Sequence, residues 1–228
     1  ISVISPIMKI KLYFLFLLVF GVSTAQLPKE FVYVKEVVPS IKVELKYFSN
    51  NNFLGVPVDS YKKDVAILTI KAAEALKQVQ EELKQHNLSI MIYDSYRPQT
   101  AVNHFVRWAR NLSDTINKES YYPNVMKQHL FKEGYIASKS GHSRGSTLDI
   151  TLVDLNTCET IDMGSPYDYF GPESWVANNN LTVQQRASRM LLQTIMLKYG
   201  FRNYPKEWWH FTLKGEPFPD TYFDFPVD

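Results

Sequence analysis

Of the chain's 228 residues one is a cysteine, Cys158. A lone cysteine makes no internal disulfide, so a packed core or a bound metal must supply the stability. Cys158 itself is expected to be a small, buried or half-buried side chain and not a nucleophile. Neither sign of charge dominates, with 25 Lys and Arg against 23 Asp and Glu. There is no basic block, which removes the electrostatic footprint that nucleic-acid binding needs. No repeat, low-complexity tract or Gly/Ser linker divides the chain, so one domain is expected after the N-terminal segment.

Long apolar runs are also lacking, save one. Leu12 to Val22 is almost unbroken, yet shorter than the roughly 20 residues a membrane span requires. Met8, Lys9 and Lys11 precede it, and the small residues Ser23-Thr24-Ala25 follow. That three-part order is the architecture of a secretory signal. Residues 1–25 are therefore expected to be removed, with Ile1 to Ile7 upstream of the true start. This leaves residues 26–228 as an exported domain, periplasmic or extracellular, with no membrane span. An uncleaved N-terminal anchor is the alternative. No cysteine follows the small residues, which excludes lipid attachment there.

Periodicity places the elements coarsely. Val32 to Val38 and Ile41 to Tyr47 read as short extended segments. From Asp64 to about His86, Val65, Leu68, Ala72, Leu76, Val79 and Leu83 recur at helical spacing. Leu88 to Tyr93 alternates as a strand, and a second helix runs from Pro98 to about Asn111. Ser138 to Leu152 reads as a strand interrupted by Gly141 and Gly145. Thr182 with Gln185 forms a capping-box pattern that opens a third helix reaching about Tyr199, closed by Gly200. Phe201 to Tyr204 and Trp208 to Leu213 make a final hairpin. Helices and strands mix without regular alternation, which predicts an α+β fold, a small antiparallel sheet flanked by helices.

Three segments concentrate chemistry that a plain core does not need. They are Ser140-Gly-His142-Ser-Arg-Gly145-Ser-Thr147-Leu-Asp149, then Glu207-Trp-Trp-His210, and Tyr93-Asp94-Ser-Tyr96-Arg97-Pro98. A hydrolytic zinc site uses three His or carboxylate ligands and leaves a position open. It also needs a carboxylate to take a proton from water and a cation or donor for the developing oxyanion. His142, Asp149 and His210 supply two nitrogens and an oxygen, Glu207 is a candidate base and Arg97 a candidate for the oxyanion. Each residue has a plainer reading. His142 could be a surface or core histidine beside a glycine turn, His210 a hydrogen-bonded core imidazole, Glu207 an exposed turn residue, and Arg97 a salt-bridge partner at a helix start. Asp149 sits between apolar strand neighbours, a costly place for a charge unless it is paired or metal-bound. Tyr96, Trp208 and Trp209 are expected to pack around the pocket, and His86, His104 and His129 to be structural.

The first segment resembles the S-x-H-x-x-G-x-A-x-D signature of the zinc D-Ala-D-Ala dipeptidases and carboxypeptidases. Glu207-Trp-Trp-His210 resembles that family's later E-x-x-H, and Tyr96-Arg97-Pro98 its Y-R-P element. With Met163-Gly-Ser-Pro-Tyr-Asp168, the spacing is most similar to the dipeptidase branch, and the likeness spans residues 26–228. One departure is Thr147 where the signature has Ala; it adds a hydroxyl without removing a ligand. The resemblance implies one Zn2+ per chain on His142, Asp149 and His210, in a cleft on the sheet. It implies Glu207 as base and Arg97 as stabiliser of the tetrahedral intermediate. It further implies Asp168 and Ser140 as substrate-binding residues, Asp168 holding the free amine. The implied reaction is hydrolysis of D-Ala-D-Ala in cell-wall peptide turnover. The alternatives are a D,D-carboxypeptidase acting on peptidoglycan stem peptides, and a non-catalytic zinc-containing binding module. Asp168 also has a plain reading as an ordinary loop acid.

Overall fold

The computed structural model describes residues 27–228, and the expected signal segment, residues 1–25, lies outside them. The chain runs β1 (Phe31–Tyr33), α1 (Val34–Val37), β2 (Lys42–Val43), β3 (Ile67–Thr69), α2 (Ile70–Lys84), β4 (Leu88–Asp94), α3 (Gln99–Arg110) and α4 (Lys118–Tyr121). It continues through β5 (Thr147–Asp154), α5 (Val183–Lys198), β6 (Phe201–Tyr204) and β7 (Glu207–Leu213). A five-stranded sheet in the order β2-β4-β5-β7-β6 forms the centre, and β1 pairs with β3 in a separate two-stranded ribbon. The class is α+β, as the sequence predicts. The main sheet is mixed and not purely antiparallel, because β2 lies parallel to β4.

The helices form where an apolar stripe meets a good start. In α3, Ala101, Val102, Phe105, Trp108 and Ala109 are buried, a one-sided pattern of helical period. Thr182 caps α5, its hydroxyl accepting from the Gln185 N–H while the Gln185 side chain accepts from the Thr182 N–H. Helix α2 packs on β4 and α5, and α5 packs on β6 and β7. Along β5 the side chains of 147 to 153 are all buried, so the central strand is covered on both faces. Among the described residues no helix is long and apolar enough to cross a membrane.

Several boundaries differ from the sequence reading for identifiable reasons. The first turns of the expected helix from Asp64 are instead loop and β3, and α2 begins only after Thr69, whose hydroxyl accepts from the Ala72 N–H. Half of the expected strand Val32 to Val38 is α1, because Val38 N–H closes a turn on the Val34 carbonyl. The segment around Gly141 is a 3-10 turn, Gly141–Arg144, and the strand starts only at Thr147. Cys158 is exposed, against expectation. It sits with positive φ in the turn after β5, where the Asp154 side chain accepts from the Asn156 and Thr157 N–H groups.

Candidate metal centre and active site

Three neighbouring strands put one residue each into the same place. Asp94 at the end of β4 is opposite Asp149 of β5, and Asp149 is opposite His210 of β7. Two irregularities in pairing make this possible. Ile92 faces Ile150 while Asp94 faces Asp149, so Tyr93 is an extra residue on β4, and a bulge of this kind re-aims the side chain that follows it. On the β6–β7 side the partner jumps from Phe211 to Glu207 between Asn203 and Tyr204. Strict alternation would send residues 207 and 210 to opposite faces. With the pairing broken between them, a Glu207 carboxylate oxygen lies 3.3 Å from His210 Nδ1.

His142 reaches the sheet from the 3-10 turn. Ser140 Oγ caps that turn by accepting from the His142 N–H at 3.3 Å. Gly145 ends it at φ +80, where a Cβ would stand 2.2 Å from the Phe31 ring. Only glycine fits both the backbone conformation and the contact. The His142 Nδ1 is 2.7 Å from the Ser95 carbonyl oxygen. A carbonyl can only accept, so Nδ1 carries a proton and Nε2 is the nitrogen turned toward the cluster. Nε2 lies 3.3 Å from Asp149 Oδ1 and 3.3 Å from His210 Nδ1, and His210 Nδ1 lies 3.1 Å from Asp149 Oδ1.

These three ligand atoms all lie within 4.8 Å of one another, with His142 and Asp149 buried and His210 half-buried. The set fits a divalent cation. Asp149 Oδ1 has no hydrogen-bond partner although it is buried, the kind of orphan that a cation satisfies. The charges agree. Burial pushes Asp149 up, but the charge of His142 and the close approach of both imidazoles outweigh it and hold the carboxyl well below the usual range. Burial pulls His210 down, and its contacts with Asp149 and Glu207 nonetheless carry it up to about 9. A cluster that grips a proton so firmly is one that favours positive charge, and metal binding displaces that proton. Two nitrogens and one carboxylate suit zinc.

Arg97 is locked beside this cluster. Its Nε and Nη2 each lie 2.8 Å from Asp94 Oδ2, and Nη2 is 3.6 Å from Asp149 Oδ2. The guanidinium also stands 4.9 Å from the ring centres of both Tyr47 and Phe105. Burial works against its charge, yet Asp94 and the surrounding tyrosines raise it above the ordinary arginine value. A hydroxyl chain completes the wall. Tyr167 donates to Asp149 Oδ2 at 2.9 Å, its hydroxyl lies 3.2 Å from that of Tyr47, and Tyr47 donates to Asp168 Oδ2 at 2.8 Å. Burial and nearby Asp149 push the Asp168 carboxyl well above its ordinary value, and the Tyr47 bond recovers only part. Arg97, Tyr47, Phe105, Asp149 and Asp168 line a cavity of about 260 Å³ together with Ser140, Glu207 and His210.

The sequence model of Peptidase M15, described as D-Ala-D-Ala dipeptidase, matches residues 28–228. The chain belongs to the D-Ala-D-Ala dipeptidase family. The D-alanyl-D-alanine dipeptidase of Enterococcus faecium is 40% identical over 197 residues, covering 86% of this chain and 98% of that protein. That of Streptomyces coelicolor is 41% identical over 198 residues, covering 87% and 98%. The Escherichia coli dipeptidase is 29% identical over 184 residues, covering 81% and 84%. A solved vancomycin-resistance D,D-pentapeptidase in complex with Zn(II) is 12% identical, covers 69% of this chain and 78% of that one, and overlays with a TM-score of 0.42, too distant to add to the family membership.

In this dipeptidase-family chain all seven residues singled out in the sequence, Arg97, Ser140, His142, Asp149, Asp168, Glu207 and His210, line one cavity. The Ser140 hydroxyl is already engaged as the cap of the His142 turn. Sequence reasoning gave no role to Asp94, Tyr47, Tyr61 and Tyr167. Asp94 is fully buried, orients Arg97 and lies 3.3 Å from His142 Nδ1, while the Tyr61 hydroxyl donates to its other oxygen at 2.6 Å. An acid closing the strand immediately before Ser-Tyr-Arg-Pro was the available signal for it. Tyr47 and Tyr61 are far away in sequence and had none, while Tyr167 stood beside Asp168 in a segment already singled out. His104 stays structural, its Nδ1 accepting from the Asp59 N–H at 3.2 Å.

Proposed function

We propose that this protein is an exported zinc dipeptidase that cleaves free D-alanyl-D-alanine into two D-alanines. His142 Nε2, Asp149 Oδ1 and His210 Nδ1 would hold one Zn2+ per chain in the cleft. The observation that carries the reading is the junction of that ligand cluster with Glu207 on one side and Arg97 on the other. Zinc, when bound, supplies Lewis-acid charge and makes water easier to deprotonate at neutral pH.

The remaining work falls to side chains of the chain. Glu207 takes the proton of the attacking water and delivers it to the leaving amine nitrogen. The oxyanion that develops on the peptide carbonyl is met by Arg97. Its Nε and Nη2 are committed to Asp94, so the guanidinium is fixed before the reaction and spends nothing on reorganisation. Asp168 pairs with the free ammonium of the dipeptide, and an N-blocked peptide would strand a buried carboxylate without its partner. Ser140 adds a polar contact at the rim of the cleft, and Thr147 leaves the metal in place.

Residues 1–25 act as the signal in this reading and residues 26–228 as the mature enzyme. D-Ala-D-Ala then arises outside the cytoplasm, from turnover of wall peptides. Fractionation of cells producing the full chain tests this: recovery of the dipeptidase only in the cytoplasm would overturn it. The catalytic assignment is tested by zinc content measured beside hydrolysis. Glu207→Ala should keep one zinc per chain and lose hydrolysis by about 10²-fold or more, while His210→Ala should lose both. An active, zinc-loaded Glu207→Ala would remove the base from Glu207.

A further inference from the structure

Arg189 lies on α5, away from the cleft, and is 7% exposed. Among the described residues no carboxylate lies within ion-pair distance of it, and burial pulls it down to about 10. A charge so placed must be held by hydrogen bonds. They go to both ends of one loop. Nε donates to the Met163 carbonyl at 2.6 Å, Nη2 to the Glu173 carbonyl at 2.8 Å, and Nη1 to the Trp175 carbonyl at 3.0 Å. Between those anchors the chain carries Tyr167 and Asp168, the two loop residues that face the reacting cluster.

Two observations make that clamp more than packing. Asp168 has φ +59, a left-handed conformation that a non-glycine residue keeps only when its surroundings over-determine it. Second, Ser165 Oγ accepts from Arg189 Nη2 at 3.4 Å and from Trp208 Nε1 at 2.9 Å, and lies 2.9 Å from Ser174 Oγ. Trp208 follows Glu207 directly. The same guanidinium therefore ties the loop's entry and exit together and joins it to the strand that bears the base.

We infer that Arg189 is a positioning residue that fixes Asp168 for the ammonium of the dipeptide and thereby sets the preference for a free amino terminus. It touches neither substrate nor metal; it acts through the loop 163–175. The inference rests on the dipeptidase reading given above. The loop is fastened at its base by a planar fork of donors reaching three carbonyls, which a lysine's single ammonium does not reproduce. Loss of the fork should loosen Asp168 while leaving His142, Asp149, His210 and Glu207 on their strands and turn.

The test is steady-state kinetics of zinc-loaded full chain, wild type beside Arg189→Lys and Arg189→Ala, on free D-Ala-D-Ala and its N-acetylated form. Both variants should retain zinc. KM for the free dipeptide should rise about tenfold, the size of one lost charge-assisted contact, with kcat within about threefold. The ratio of free over blocked kcat/KM should shrink accordingly. In Arg189→Ala, added ethylguanidinium, which replaces the atoms removed, should lower KM again. Unchanged KM in a folded variant overturns the inference, and so does a parallel loss of kcat, zinc and melting temperature with KM unmoved. If wild type itself fails to cleave the dipeptide, it is the dipeptidase reading that falls.

Discussion

Asp168 shows how one residue can favour function over stability. Its carboxyl is pushed well above the ordinary value, first by burial and then by Asp149. An acid whose folded value exceeds its unfolded one binds more protons in the fold, so stability falls as pH rises from about 3.9 through the elevated value. Asp168→Asn should therefore raise the melting temperature near neutral pH and leave it unchanged below about pH 3.9. The same substitution should weaken dipeptide binding. Only the ionised form pairs with an ammonium, so affinity of the inert Glu207→Ala variant for D-Ala-D-Ala should decline as pH falls through the Asp168 value. In the double variant with Asp168→Asn that decline should vanish. Binding measured by calorimetry across pH checks this, and an unchanged profile would detach Asp168 from the ammonium. Asp94 works at the same scale without meeting substrate. Replacing it with Ala would leave Arg97 buried beside two aromatic rings without its acid partner, a loss on the order of 3–5 kcal/mol visible in both melting temperature and kcat.

At the level of elements, the C-terminal tail substitutes for signals that local sequence lacks. Helix α3 begins after Pro98, which makes no side-chain cap. Asp224 fills the gap from afar, accepting from the Thr100 N–H at 2.6 Å and from its hydroxyl at 2.8 Å. Asp224→Ala should cost about 1 kcal/mol, read as a lower unfolding midpoint in denaturant with the slope unchanged. The neighbouring Phe223 N–H donates to the Ser143 carbonyl at 2.9 Å, so the tail also braces the turn that carries His142. What the sequence made legible follows the same line. Features set by near neighbours, such as the cap at Thr182 and the candidate ligands His142 and Asp149, could be picked out from local spacing, whereas the left-handed turn at Gly145 fell inside an expected strand. The bulge at Tyr93 and the broken pairing before Glu207 were not legible, because register depends on the partner strand. Nor was the parallel pairing of β2, a two-residue strand whose place is fixed by β4. Asp94 stood in a segment already singled out, yet its role depends on Tyr61, 33 positions earlier, and His142, 48 positions later, brought near only by folding.

Across the whole molecule, aromatic contacts stand where disulfides are lacking, and the cluster of His142, Asp149 and His210 is a second candidate staple. Phe31 packs on Tyr96, Phe218, Phe223 and Phe225, with ring centres 4.9–6.0 Å apart, and so joins β1 to the tail behind the site. Tyr47, Phe53, Phe105, Trp108 and Phe170 form a second group under the cleft. A cation held by His142, Asp149 and His210 would bridge two strands and a turn and would stabilise the fold by mass action, by about 2.7 kcal/mol at a hundredfold excess over Kd. Chelation should therefore lower the melting temperature, and zinc should restore it in a concentration-dependent way. A melting temperature indifferent to chelator would argue that His142, Asp149 and His210 are a polar core cluster and no metal centre.

The most direct measurement is hydrolysis of free D-Ala-D-Ala beside its N-acetylated form by zinc-loaded protein, with chelation and zinc re-addition in the same series. Cleavage of the free dipeptide alone, lost on chelation and regained with zinc, is the expected result. Cleavage of the blocked form at a comparable rate would contradict the role given to Asp168 and turn the reading to a D,D-carboxypeptidase. Cleavage of neither would contradict the catalytic account altogether.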